Sequence, residues 1–202
     1  MSEPDPEART GELLGSRLRE LRLQSGTSLR ALARDLGISA SAVSQIERGV
    51  MRPSVSRLIA YVSALGVPLS AVFENGTEKE PEGDGPAEEH RFAIRRSWEV
   101  APITLGGGVT FRRLAPVPTP GVEFFESTYP PNAISNAHGR FLKHEGYEVG
   151  TVTQGELTIE FESDIVTLAV NDSITFPCAR PHIIGNHSKT QTAVATWLIV
   201  HR

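Results

Sequence analysis

His144, Glu148 and His182 put two imidazoles and one carboxylate into the second half of this chain, in the segments HEGYEVGTVTQG (144–155) and NDSITFPCARPHIIGN (171–186). A spacing of four places His144 and Glu148 on the same side of one strand, and a neighbouring strand can bring His182 to them. Two imidazoles and a carboxylate with open positions suit non-haem iron, and they also accept zinc, nickel or manganese. One divalent metal is therefore the expected cofactor, with His138 or a water able to complete the set. Without a metal, the same residues would make a hydrogen-bonded polar cluster in a barrel that binds an organic ligand. Leu142, Phe124, Phe161, Asn186 and Trp197 are the expected pocket residues, the three aromatics reading first as core. Cys178 is the single cysteine, so no intrachain disulfide can form, and it reads as a small buried residue.

A second chemistry lies in SASAVSQIERG (39–49). At about 100° per residue, Ala40, Ser41, Ser44, Gln45 and Arg48 share one small, polar face, and Ala42, Val43 and Ile46 share the opposite, apolar one. Small residues allow close approach to base edges. Gln45 can pair with adenine, Ser39, Ser41 and Ser44 can contact several bases, and Ala40 can meet a thymine methyl. Arg48, Arg52 and Arg30 are the expected phosphate anchors, together with helix N-terminal amides such as those after Ser28.

The elements that must hold these groups follow from periodicity. Residues 1–10 are polar, with two prolines, and are expected to be a disordered tail. From 11 to 74 the apolar period is helical. Leu14, Leu18 and Leu21 form one stripe, Leu29, Leu32, Ala33 and Leu36 a second, and Val55, Leu58, Ile59, Val62 and Leu65 a third. Ser28, Ser39 and Ser54 stand at N-cap positions, and Gly26, Gly37, Gly49 and Gly66 where helices should stop. A short last helix over 68–73 would complete a five-helix domain. Residues 75–90 hold no large apolar side chain and are strongly acidic, which predicts a flexible linker. From 91 to 202, short β-branched and aromatic runs alternate with Pro, Gly and Asn, the pattern of an all-β sandwich or barrel.

Charge supports two tasks. The chain is mildly acidic, with 20 Lys+Arg against 24 Asp+Glu. Residues 9–75 nevertheless hold nine arginines against five acids, the kind of excess a phosphate-contacting domain needs. No apolar run is long enough to span a membrane, and the start lacks a signal-peptide core, so a cytoplasmic protein is expected.

The helical segment, and SQIERG followed by PS above all, resembles the helix-turn-helix of the xenobiotic-response-element (XRE, Cro/repressor-like) regulators over about 60 residues. That resemblance implies a recognition helix at Ser39–Arg48, a structural role for Glu47, and a homodimer on a near-palindromic operator in double-stranded DNA. Leu29 stands where the family often has Gln. His144, Glu148, Gly155, Pro177, His182 and Asn186 match the two motifs of the cupins, double-stranded β-helix (jelly-roll) barrels. Leu142 replaces the first His of that pattern, Asn171 a Gly, and Ala179 another Gly. A reader followed by a cupin is similar to the XRE-cupin regulators, which implies a transcriptional regulator that senses a small-molecule effector. An alternative comes from the same triad. His144, Glu148 and His182 without the first cupin His are also similar to hydroxypropylphosphonate epoxidase, a mononuclear non-haem iron enzyme, and there they would be catalytic. The intact SQIERG and PS segments and the acid-free reading face favour the regulator, and with it a protein that is not an enzyme.

Overall fold

The computed structural model describes residues 6–73, 93–136 and 141–201. The proposed linker, residues 1–5 and His138 lie outside the described residues. Four α-helices come first: α1 (Pro6–Gln24), α2 (Leu29–Asp35), α3 (Ala40–Glu47) and α4 (Val55–Leu65). Helix α1 starts at Pro6, so part of the segment expected to be a disordered tail extends the first helix instead. Proline fits there because the first turn has no use for its missing N–H. The expected fifth helix is a five-residue 3-10 turn, Leu69–Phe73. Gly66 ends α4 in the left-handed conformation and Pro68 follows it, which leaves too few residues for a regular helix.

The three serine caps form as the pattern predicts. The hydroxyls of Ser28, Ser39 and Ser54 accept from the amides of Ala31, Ala42 and Arg57 at 3.2, 3.1 and 3.3 Å. All three apolar stripes turn inward, with Leu18, Leu32, Val43 and Leu58 fully buried. Two glycines let α1 lie directly across the end of α3. A Cβ on Gly15 would come within 2.6 Å of the Ile46 carbonyl, and one on Gly49 within 2.7 Å of the Glu12 backbone.

Apart from one 3-10 turn (Gly106–Gly108), the regular elements of the second half are strands among the described residues: β1 (Ile103–Thr104), β2 (Thr110–Arg113), β3 (Val122–Tyr129), β4 (Tyr147–Gln154), β5 (Leu157–Phe161), β6 (Ile165–Leu168), β7 (Ser173–Pro177), β8 (His182–Gly185) and β9 (Ala193–Val200). They form a six-stranded sheet, β1-β2-β3-β9-β4-β7, and a three-stranded sheet, β6-β5-β8. All their pairings are antiparallel. Their inner faces enclose Phe125, Tyr129, Val152, Ile159, Phe161, Phe176 and Trp197. In the large sheet, Gly150 pairs with Trp197, and a Cβ on Gly150 would sit 2.3 Å from the indole. Glycine is therefore what lets the indole lie across β4 and donate its N–H to Ser127 Oγ at 2.8 Å.

The helical and β parts touch through backbone. Gly106 N–H donates to Pro53 O at 2.8 Å and Ser56 N–H to Ser135 O at 3.0 Å. Glu123 on β3 reaches out of the sheet and accepts from the amides of Leu69 and Ser70.

Candidate DNA interface and His/Glu/His centre

Helix α3 keeps its two faces apart. Val43 and Ile46 are buried, Ser41 and Arg48 are exposed, and Ala40, Ser44 and Gln45 are partly exposed. Ser39 is exposed at the start of the helix, and Ser28 and Arg30 are exposed at the start of α2. Arg52 is partly exposed beyond the end of α3. The polar positions chosen from sequence are therefore all at least partly open to solvent. Capping uses a lone pair on Ser28 and Ser39 but leaves each O–H free to donate. Arg48 folds back, and its Nε donates to Ser44 O at 3.2 Å.

What fixes α3 from behind is a buried ion pair. Arg22 Nε and Nη2 donate to the two oxygens of Glu47 at 2.6 and 2.8 Å, and Tyr61 Oη donates to Glu47 Oε1 at 2.7 Å. Arg22 also donates to Thr27 O at 3.0 Å, so it ties the α1–α2 turn to the recognition helix. Burial alone would push the Glu47 carboxyl up. The Arg22 guanidinium and the Tyr61 hydroxyl outweigh it and hold the group below the usual carboxylate range. The same burial, with Glu47 beside it, pushes the Tyr61 hydroxyl up. Glu47 is thus structural, as the resemblance implied. Its partners Arg22 and Tyr61 were not legible, because they lie 25 and 14 residues away.

The three chemistry-bearing residues of the barrel do come together. His144 Nε2 lies 2.8 Å from Glu148 Oε1, and His182 Nε2 lies 3.7 Å from the same oxygen. One donor atom from each falls within 4.8 Å of the others. One expectation fails in detail. Strand β4 begins at Tyr147, so His144 is not on Glu148's strand. It reaches Glu148 from the preceding loop, held there by its amide on Cys178 O at 3.1 Å.

The hydrogen bonds around the imidazoles suit a metal. His182 Nδ1 faces Arg180 O at 2.8 Å and His144 Nδ1 faces Glu145 O at 3.2 Å. A carbonyl can only accept, so with Nδ1 protonated on each ring the Nε2 atoms would offer lone pairs. His144 Nε2 stands at hydrogen-bond distance from Glu148 Oε1, and a cation in place of the shared proton would be held by two imidazole nitrogens and a carboxylate oxygen. Phe176 packs edge-on against His182 with ring centroids 4.9 Å apart and, in turn, against Phe161 at 5.2 Å. Arg180 lies over the Phe161 ring at 4.0 Å. Cys178 is fully buried and outside the ligand set. Burial, helped by the Glu148 charge, pushes its thiol up to about 12.

The other expected pocket residues separate. Leu142 pairs its backbone with His182 in both directions at 3.0 Å and borders the centre. Phe161 and Trp197 are buried core. Phe124 alternates to the side of β3 opposite Glu123 and Phe125, is 38% exposed, and does not join the group. Asn186 is buried, and its amide serves the backbone. Nδ2 donates to Tyr129 O, Pro130 O and Gln191 O, and Oδ1 accepts from Ser188 N–H. It pins a turn and has no donor left for a ligand.

Known proteins resemble the chain along most of its length. Residues 18–72 match the helix-turn-helix family HTH_3, and residues 125–199 match the cupin-domain family Cupin_2. The HTH-type transcriptional regulator PuuR of Escherichia coli (strain K12) is 30% identical over 174 residues, 86% of this chain and 88% of that protein. Transcriptional regulator ClgR of Mycobacterium tuberculosis is 37% identical over 68 residues, 34% of this chain and 61% of that one. The crystal structure of an HTH_3 family transcriptional regulator from Vibrio cholerae covers 97% of this chain and 99% of its own, with a TM-score of 0.68 at 20% identity, and so shares the fold of both parts. The relation to PuuR decides against the iron-enzyme alternative, because it runs through reader and barrel together. Among the described residues no helix is long and apolar enough to cross a membrane. A helical reader of the XRE type, a cupin barrel behind it and a regulator as relative over both make this chain a member of the XRE-type helix-turn-helix transcriptional regulators that carry a cupin domain.

Proposed function

We propose that the chain is a one-component cytoplasmic regulator: a homodimer that reads a near-palindromic operator with α3 and changes its affinity when the cupin takes up a small effector. The observation that carries this reading is the pairing of two sites in one chain. One is the exposed small-polar face of α3, backed by the buried Arg22–Glu47–Tyr61 network. The other is the convergent His144, Glu148 and His182. On α3, Gln45 reads adenine edges, Ser41 and Ser44 take further base contacts, and Ala40 meets a thymine methyl. Arg30, Arg48 and Arg52, with the hydroxyls of Ser28 and Ser39, position the phosphates.

In the barrel, His144, Glu148 and His182 would hold one divalent metal, zinc, iron, nickel or manganese, by nitrogen and oxygen. When bound, the metal supplies a fixed positive charge and open positions for an oxygen- or nitrogen-bearing ligand. The chain's own residues set the geometry: Arg180 O and Glu145 O orient the imidazoles, and Phe176 and Phe161 keep water from the far side of His182. The test is selection of bound sequences from random duplex DNA, followed by titration of the selected site at several salt concentrations. A two-fold symmetric consensus with a steep salt slope is expected. Uniform binding to every duplex would overturn the reading.

A further inference from the structure

A cleft of about 810 Å³ separates α4 from the rim of the barrel, and it opens onto His144. Its two walls differ in character. The reader supplies Ala60, Val67 and Pro68, a mostly apolar surface on and just after α4, with the exposed hydroxyl of Ser63 among them. The barrel supplies Lys143 and Glu145 on either side of His144, with Glu123, Ile199 and His201 deeper in.

The acids and bases of this cleft are not equivalent. Glu123 is engaged by the amides of Leu69 and Ser70 and faces His201 Nε2 at 3.9 Å. Lys143 and Glu145 are exposed, and among the described residues no ion pair engages either side chain. One unpaired ammonium and one unpaired carboxylate therefore frame the mouth of the cleft, facing an apolar wall. A simple anion would leave Glu145 unanswered beside it, and a simple cation would leave Lys143 so. A molecule carrying both charges at one end and a hydrocarbon body at the other answers all three surfaces.

We infer that the cleft between α4 and the barrel rim is the effector site, and that its ligand is a zwitterionic amino acid with an apolar side chain. The carboxylate meets Lys143, the ammonium meets Glu145, and the side chain lies on Val67, Pro68 and Ala60. The inference rests on the regulator reading above and deepens it. A ligand wedged here touches both parts of the chain, so its binding favours one relative position of reader and barrel. That differential contact is what any effector needs in order to shift an equilibrium.

The test uses the full-length protein, free of DNA. L-Leucine, L-valine, L-methionine and L-phenylalanine are titrated by calorimetry, with melting temperature recorded in parallel. 4-Methylpentanoate lacks the ammonium of leucine, and 3-methylbutylamine lacks its carboxylate. Saturable binding of at least one amino acid is expected, with both truncated analogues weaker by about tenfold or more, the loss of one charge-assisted contact. Lys143→Ala and Glu145→Ala should each weaken that amino acid by a similar factor while melting normally without it. The proposal is overturned if none of the four amino acids binds, if either analogue binds as well as leucine, or if both variants bind unchanged. Because no DNA is present, these outcomes stand apart from the operator titration. Selective operator binding without amino-acid binding would sink this inference and leave the regulator reading standing.

Discussion

Glu123 and Glu148 stand in one cross-strand row of the large sheet, each directly opposite Ile199. Both are buried, and only β9 lies between their strands. Glu148 joins the two imidazoles, while Glu123, on the same face of the sheet, accepts the first amides of the 3-10 turn that ends the reader. Neighbouring strands lie about 4.8 Å apart, so roughly 10 Å separates the strand that carries Glu148 from the one that carries Glu123.

Glu123→Ala removes the acceptor for Leu69 and Ser70. Those two amides should exchange with solvent faster, while the amides of β3 itself stay protected. The cost of leaving buried donors unsatisfied is about 1–3 kcal/mol. Hydrogen exchange read residue by residue checks it. Unchanged protection at 69 and 70 would mean that the carboxylate does not hold the reader.

Gln45→Ala should relax preference at one operator position by about 1–3 kcal/mol while leaving the other positions intact. Arg30→Ala should instead weaken all sequences alike and flatten the salt slope by about one. Competition titrations against a set of single-base operator variants separate the two patterns. Identical profiles for the two variants would reverse the assignment of base and phosphate contacts.

Acid should loosen the reader through Glu47. Its carboxyl is held below the usual range, so its contribution to stability is fully present above the unfolded value of about 4.3 and fades as pH falls through the lower folded value. Glu47→Gln should be less stable at neutral pH, by about 3–5 kcal/mol if Arg22 is left buried and unpaired. It should also lose less on acidification than the parent protein does. Thermal melts between pH 7 and pH 3 measure both effects (about 4.3 being the watershed for a free glutamate).

His144→Ala and His182→Ala should each abolish bound metal, as each deletes one of three protein ligands. Mass spectrometry on protein purified without tag or chelator is the measurement. Metal retained at full occupancy by both variants would mean that the site lies elsewhere.

Gly150→Ala should destabilise the barrel, because the added methyl would overlap the Trp197 ring. Overpacking costs about 1–3 kcal/mol when neighbours can move. This ring is tied by its N–H to Ser127, which puts the expected loss at the upper end. Indole fluorescence during denaturant unfolding of a Trp98→Phe background, which leaves Trp197 as the one indole, reports the change at the site itself.

Much of this molecule was legible because it is local. Ser28, Ser39 and Ser54 sit within three residues of the amides they cap, and spacing alone separates Val43 and Ile46 from Ser41 and Ser44. His144, Glu148 and His182 were legible because their order and spacing match the two cupin motifs. What the sequence hid depends on long-range pairing. Arg22 finds Glu47 only after α1 crosses α3. Asn186 reads as a pocket amide until the turn folds around it and occupies both ends of its side chain. Phe124 shows how a register decides: one step along β3 separates it from the inward-facing Phe125. The 3-10 turn at Leu69–Phe73 has the apolar content of a helix but not the length, and it is Glu123, far along the chain, that caps it.

Cys178 carries the last consequence. A thiol raised to about 12 is almost wholly protonated in neutral solution, and a protonated thiol is a poor nucleophile. Peroxide and alkylating reagents should pass it by, and no second sulfhydryl exists to form a bridge within the chain. Cys178 is therefore closed as a receiver of oxidative or alkylating signals. The proposed response to a small effector, which comes and goes by mass action, needs no such thiol and no repair enzyme to reset it.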